Sequence, residues 1–264
     1  MALYKRLLIN GFKAKIAFRA DYLIDVVFSF CYIALQIFIW RGLYGSSGEA
    51  RMGIVLGDMV AYTILASITR MLTNANVMLD LNKTVQDGSV SMRLLLPLGF
   101  RMYYFLSTLS ENLFWSLYRS LPPILVAIGF FGLRFTLDPQ RLGLYCLSVM
   151  LAFGIHFMYS FIMGMSIVWV RNGFFLDNFD ALIFRLFSGA VVPMWFFPGW
   201  LNAASEVLPF RYVMFEPISI LLGKTPMAQI PGVLGMQALW IAILSGLMSL
   251  IWSRGRKHIM IQGG

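Results

Sequence analysis

Residues 81–97 read LNKTVQDGSVSMRLLLP, and the fold turns on how that stretch is interpreted. Asn82, Lys83, Thr84, Gln86, Asp87, Gly88 and Ser89 form a polar island between two long apolar runs. The island is too polar for a bilayer and too patterned for a linker. Thr84–Gln86 has the composition to close a helical turn, and Asp87-Gly88 stops it. Val90–Leu96 then offers an apolar face before Pro97 ends it. The pattern predicts a short helix at a membrane surface with its polar side outward, the form of a docking element.

Composition sets the surroundings of that island. The 264 residues are 59% apolar, 16% aromatic and only 12% charged, with a mean hydropathy of +0.75. Soluble domains carry about 25% charged residues, so a soluble globular domain is excluded and a polytopic helical membrane protein is implied. A β-barrel would show alternating segments of roughly ten residues, whereas these apolar runs are about twenty or longer. The net charge of +9 does not indicate nucleic acid, because the charges sit at the chain ends. Lys5, Arg6, Lys13, Lys15 and Arg19 precede the first apolar run, and Arg254, Arg256 and Lys257 follow the last. That is how charges are retained on the cytoplasmic side. Cys31 and Cys146 both lie inside apolar runs, which reads as two reduced thiols rather than a disulfide or metal pair.

In chain order, residues 1–20 predict an imperfect amphipathic helix on the inner leaflet, too charged for a signal peptide core. A first span covers about Tyr22–Leu43, with Trp40 and Tyr44 as outer-interface aromatics, and a second covers about Ile54–Met78. The third apolar segment, Tyr103–Leu133, is about 46 Å of helix, longer than the hydrocarbon core of about 30 Å, with Pro122-Pro123 as a kink. A fourth span covers about Leu142–Val170 and carries the small-xxx-small pair Ser160 and Gly164, which lets helices approach closely. Arg171–Asp180 reads as a second inner loop, and a fifth span runs from Ala181 towards Pro193 and Pro198. Residues 198–231 are apolar pieces cut by Pro209, Pro217, Pro226 and Pro231, as expected of short re-entrant helices. A sixth span, about Gly232–Trp252, precedes the basic tail. Six spans and the Lys/Arg asymmetry place both termini in the cytoplasm.

Chemistry is sparse. Gly223-Lys224-Thr225 imitates the end of a phosphate-binding loop, but Ile218 stands where the motif needs its first glycine. His156 and His258 are the only histidines, and His156 in an apolar run reads as a helix-contact hydrogen-bonder rather than a ligand. Glu111 and Arg119 lie about 12 Å apart along one helix and do not pair. No nucleophile–base or metal constellation supports an intramembrane enzyme. An ATP-independent carrier or channel would need ion-coordinating groups near the midplane, and His156 and Glu111 are few for that. A non-transporting membrane scaffold is the remaining alternative.

Two segments carry a family resemblance. Asp87-Gly88 is followed by Leu94-Leu95-Leu96-Pro97, and Ser188-Gly189 by Pro193, Phe197-Pro198, Leu208-Pro209-Phe210, Pro217 and Leu221-Leu222-Gly223. With Phe18-Arg19-Ala20-Asp21 and Ile39-Trp40, these resemble, over essentially the whole length, the six-helix stand-alone permease subunit of type-2 ABC exporters. The resemblance implies an all-α fold as one transmembrane domain over residues 1–264, with six transmembrane helices. It further implies an N-terminal interfacial helix, a coupling helix between helices 2 and 3, and re-entrant helices between 5 and 6. Residues 81–97 would be the coupling segment, with Asn82, Lys83, Gln86, Asp87, Gly88, Ser89 and Arg93 against a separate ABC ATPase subunit. Pro193, Phe197, Pro198, Leu208, Pro209 and Phe210 would form the outer gate. The subunit would bind no cofactor itself, ATP being hydrolysed by the partner. It would sit in the inner (cytoplasmic) membrane as a dimer with a second copy or a related permease, and export an amphiphilic or lipid-linked substrate.

Overall fold

Among the described residues the apolar runs fold as helices, because a segment in lipid must satisfy its own backbone hydrogen bonds. The computed structural model describes residues 19–45, 53–75, 77–87, 89–90, 93, 99–119, 138–170 and 173–262. Its helices, in order, are α1 (Arg19–Tyr44), α2 (Leu56–Thr73), α3 (Val77–Gln86), α4 (Phe100–Arg119) and α5 (Pro139–Met165). There follow α6 (Ile167–Val170), α7 (Gly173–Phe187), α8 (Gly199–Val207), α9 (Phe215–Leu221) and α10 (Ile230–Gln262), with single 3-10 turns at Met194–Phe196, Pro209–Tyr212 and Met227–Gln229. The expected N-terminal interfacial helix, Pro122-Pro123 and the second half of the third segment lie outside the described residues.

The centre is α5. It starts sharply because Asp138 accepts the Gln140 amide at 3.0 Å and Pro139 takes the first helical position, where no amide is needed. Around α5 pack α3, α9 and α10. Lipid tails are as apolar as leucine, so close packing and hydrogen bonds hold such helices together. Phe161, fully buried on α5, meets Phe100, Tyr104 and Trp252 in one aromatic group, with Phe100 stacked on Trp252 at 4.6 Å. Buried Gln237 of α10 donates to the Ser148 carbonyl at 3.1 Å and the Tyr212 carbonyl at 2.8 Å, and its own oxygen accepts from the Ser148 hydroxyl. Outward surfaces are apolar: Phe28 and Phe38 on α1 are each 70% exposed, and α10 exposes Leu239, Ile243 and Leu247. Such patches suit lipid rather than water. Pro139–Val170 and Met227–Gly255 are each long and apolar enough to cross a membrane.

Three expectations need correction. The second span does not reach Met78: α2 ends at Thr73, Asn74 is extended (φ −61°, ψ 129°), and a new helix begins at Val77. The polar island is therefore not a lone turn at Thr84–Gln86 but the second half of the ten-residue α3. Residues 173–180 are not a loop either. Helix α7 starts at Gly173, eight residues before the expected fifth span, because Leu176 buries one side of an amphipathic helix while Phe175 and Phe179 face outward. That helix ends at Phe187, short of Pro193, since Gly189 adopts φ +76° and turns the chain.

Candidate functional site

The island is built on α3, whose Val77, Met78, Leu81 and Thr84 recur at helical spacing and are buried. Helix α5 receives them at the predicted small-residue pair. A Cβ on Gly164 would lie 2.9 Å from the Met78 Cα, and the Met78 amide donates to the Ser160 hydroxyl at 3.0 Å. Of the candidate docking residues, Lys83 and Asp87 are exposed, and Ser89 is half-buried beside them. Asn82 departs from expectation: it is buried, and its Oδ1 takes no hydrogen bond from the described residues. Gly88 and the side chain of Gln86 lie outside the described residues.

Asp87 closes the end of α3. Its amide donates to the Lys83 carbonyl, and its carboxylate accepts the Ser89 amide at 2.9 Å, an Asx turn. Hydrogen bonds from Ser89 hold the Asp87 carboxyl below the usual carboxylate range, with the Arg93 and Lys83 charges adding to the shift. Arg93 folds back over α3, donating to Asp80 Oδ2 and to the Tyr104 hydroxyl, both at 2.7 Å. Burial works against the Arg93 charge, but the Asp80 carboxylate outweighs it, so the guanidinium is held firmly protonated. Arg93 therefore fastens the island to α4 instead of standing free.

Polar side chains from two other helices satisfy the break between α2 and α3. Thr73 O receives His156 Nδ1 at 2.8 Å, and Asn112 donates to the Leu72 carbonyl at 3.2 Å and to the Asn74 carbonyl. His156 is thus the helix-contact hydrogen-bonder its isolation implied. Its ring also stacks on Phe184 of α7 at 4.6 Å.

Beside the break lies a cavity of about 540 Å³, walled by α1, α2, α5 and α7. Tyr32 and Gln36 come from α1 and Arg70 from α2. Asp177, Asp180 and Arg185 come from α7. The two aspartates were hidden in the sequence, since Arg171–Asp180 reads as a loop. The available signal was spacing: Asp177 and Asp180 are three apart, on one side of a helix whose apolar residues keep helical period.

The candidate gate residues do not form one cluster. Pro193 is buried before the first 3-10 turn, exposed Pro198 precedes α8, and half-buried Leu208 leads into buried Pro209. Phe197 lines a separate pocket of about 330 Å³ with Trp195, Asn202, Arg211 and Glu216. Phe210 points the other way, edge-on to Tyr159 at 5.0 Å and to Phe184 at 6.2 Å. Phe210, Phe184, His156 and Thr73 are thereby in continuous contact from the 3-10 turn at Pro209–Tyr212 to the break. Arg211 holds α8 and α9 together, reaching Glu216 at 2.6 Å, Asn202 at 2.8 Å and the Phe215 ring at 5.0 Å. Lys224 is engaged by Asp58 of α2. Among the described residues, no group of three or more His, Cys, Asp or Glu is placed to hold a metal.

A search of curated proteins finds no significant match. A family model described as ABC-2 family transporter protein matches residues 30–263, nearly the whole chain and all of the elements above except the start of α1. The apolar helices and that match together identify an integral membrane protein. The chain belongs to the ABC-2 transporter family, as a permease subunit.

Proposed function

We propose that this permease couples ATP binding and hydrolysis on a separate ABC ATPase subunit to export of an amphiphilic substrate from the inner leaflet or cytoplasm. The observation that carries the reading is α3. It is a short helix set off from α2 by a break, locked to α5 at Ser160 and Gly164, with Lys83 and Asp87 left facing outward. A push on that exposed end has two routes inward: through α5, and through the break at Thr73 to His156, Phe184 and Phe210. In this reading α3 and the turn at Asp87 dock on the ATPase in the cytoplasm, and residues 193–231 cap the outward exit. Two permease subunits, of one or two kinds, would meet to complete the pathway in the inner membrane, with both termini inside.

The test is cross-linking of Asp87→Cys or Ser89→Cys to candidate ATPase subunits in native membranes. A cross-link whose yield changes with nucleotide is expected. Capture of no ATPase, together with labelling of the same cysteine by an impermeant reagent from outside, overturns the reading. A second reading, an ion-driven carrier, is favoured by one observation: His156, Asp177 and Asp180 share a cavity. It requires ion-gradient-driven transport in liposomes that contain this chain alone.

A further inference from the structure

The cavity between α1, α2, α5 and α7 holds charges of both signs. Arg70 and Arg185 line it together with Asp177 and Asp180. Among the described residues no ion pair joins any of these four; the Arg70 guanidinium instead lies over the Tyr32 ring, 5.6 Å from its centre. With His156 neutral the four formal charges sum to zero, yet they do not neutralise one another. Arg70 and Arg185 are exposed and Asp177 and Asp180 half-buried, so the desolvation cost of standing without a partner falls mainly on the carboxylates.

The polar atoms that await a partner have a definite character. Asp180 Oδ1 is buried and accepts no hydrogen bond from the described residues, although the Tyr159 hydroxyl stands within hydrogen-bond reach of the same carboxylate. His156 Nδ1 meets the Thr73 carbonyl, a pure acceptor, so Nδ1 carries the ring hydrogen and Nε2 is left as an acceptor in the neutral imidazole. Two acceptors on the α5 and α7 sides suit a group with several N–H bonds, such as a primary ammonium with three. Arg70 and Arg185 offer planar donors suited to a phosphate or carboxylate. A purely cationic ligand would leave the arginines unmatched, and a purely anionic one would leave Asp180 Oδ1 without a donor.

The size is that of a small-ligand site, within the range of about 300–1,000 Å³. Apolar side chains continue outward from the polar part: Leu79 and Val191 belong to the wall and are 50% and 39% exposed, and α7 exposes Phe179, Leu182 and Leu186. A hydrocarbon tail has a surface to lie on beside the polar chamber.

We propose that this cavity is a headgroup site for a zwitterionic amphiphile bearing a primary ammonium and an anionic group. The ammonium is received by Asp180 and the anion by Arg70 and Arg185. The proposal rests on the permease reading and names the substrate class for it.

The experiment places a reporter, Ala181→Cys, in the cavity wall of the full chain in lipid nanodiscs, with exposed Cys31 and Cys146 replaced by alanine. Maleimide labelling rates are measured with four probes at equal concentration. Lysophosphatidylethanolamine has the ammonium, the phosphate and a tail. Lysophosphatidylcholine lacks N–H donors, lysophosphatidylglycerol lacks the cation, and phosphoethanolamine lacks the tail. The first probe is expected to slow labelling roughly tenfold more than the others, the worth of one charge-assisted hydrogen bond. Asp180→Asn is expected to remove that advantage, and Asp180→Glu to retain it. Equal slowing by all four probes, no slowing, or an advantage intact in Asp180→Asn each overturns the proposal. Equal slowing by phosphoethanolamine alone also overturns it, because the occupant is then soluble. If Asp180→Asn does not fold, lysophosphatidylethanolamine against lysophosphatidylcholine on the unsubstituted carboxylate decides. No ATPase enters this assay. A failed protection with the ATPase cross-link intact overturns only the substrate class; a failed cross-link with protection intact overturns only the permease reading.

Discussion

Gly164 of α5 and Met78 of α3 meet backbone to backbone: a Cβ on the glycine would stand 2.9 Å from the Met78 Cα and 3.1 Å from the Leu81 Cβ. Contacts under 3.0 Å to backbone are not relieved by turning a side chain, so α3 itself would have to move. Glycine at this position therefore sets how closely the island's helix rides on the core.

Gly164→Ala is accordingly expected to destabilise the protein by about 1–3 kcal/mol, the cost of overpacking a close contact. The matched control is Gly143→Ala on the same helix, where nothing lies within 4 Å of the new methyl. There the better helix propensity of alanine is expected to give a gain of about 0.5–1 kcal/mol. Thermal unfolding in detergent checks both. Equal shifts of the two midpoints would mean that α3 does not sit on Gly164.

The turn at Asp87 has a predictable response to acid. Its carboxyl is held below the usual carboxylate range by Ser89, so the folded pKa lies under the unfolded value of about 3.9. A depressed folded pKa contributes stability that is present above the unfolded pKa and is lost as pH falls through the folded one. Corrected for intrinsic exchange, protection of the Ser89 amide is expected to stay constant from about pH 7 to 5 and to fall below about pH 4. Asp87→Asn, which accepts the same bond without titrating, is expected to abolish that fall.

Arg211 and Glu216 form an ion pair between the 3-10 turn at Pro209–Tyr212 and α9, with side chains only 14% and 9% exposed. Arg211→Met leaves Glu216 nearly buried and without its partner, which is expected to cost about 3–5 kcal/mol. Adding Glu216→Gln removes the stranded charge, and the double variant is expected to recover at least half of the loss. Unfolding midpoints of the two single variants and the double give the coupling. Additive losses would show that the pair contributes nothing as a pair.

What was legible in the sequence follows from which features are local. Helices α1, α5 and α10 are long apolar runs bounded by charges or turns, and their starts were readable to within a few residues, whereas α5 ends five residues before the expected Val170 and α10 continues ten residues past Trp252. Ser160 and Gly164 were readable as a close-approach pair because small residues four apart mark one helix face. The break at Asn74 was not readable. No glycine or proline marks it, and the groups that satisfy it, Asn112 and His156, come from helices far along the chain. Helix α7 was lost because Asp177, Asn178 and Asp180 lower the average polarity contrast of a segment whose period is helical. The Arg211–Glu216 pair straddles a 3-10 turn and the irregular Met214 (φ −121°, ψ −60°), where no regular spacing exists to reveal it.

The break between α2 and α3 yields the last prediction, because one helix, α5, holds it from both ends. His156 meets the Thr73 carbonyl at the end of α2, and Ser160, one turn further along α5, accepts the Met78 amide at the start of α3. His156→Phe keeps an aromatic ring against Phe184 but leaves the Thr73 carbonyl without that partner, and Ser160→Ala leaves the Met78 amide without its acceptor. Each is expected to cost about 1–3 kcal/mol, the penalty for an unsatisfied buried polar group. If both bonds brace one hinge, loosening it at either end frees the same segment, and the second loss adds little. The double variant is then expected to be less destabilised than the sum, with a coupling of about 0.5–3 kcal/mol. Amide exchange of residues 74–78 is expected to rise to a similar extent in each single variant. Strict additivity, with exchange rising only beside the altered bond, would mean that the two contacts hold their helices independently and that the break does not act as one joint.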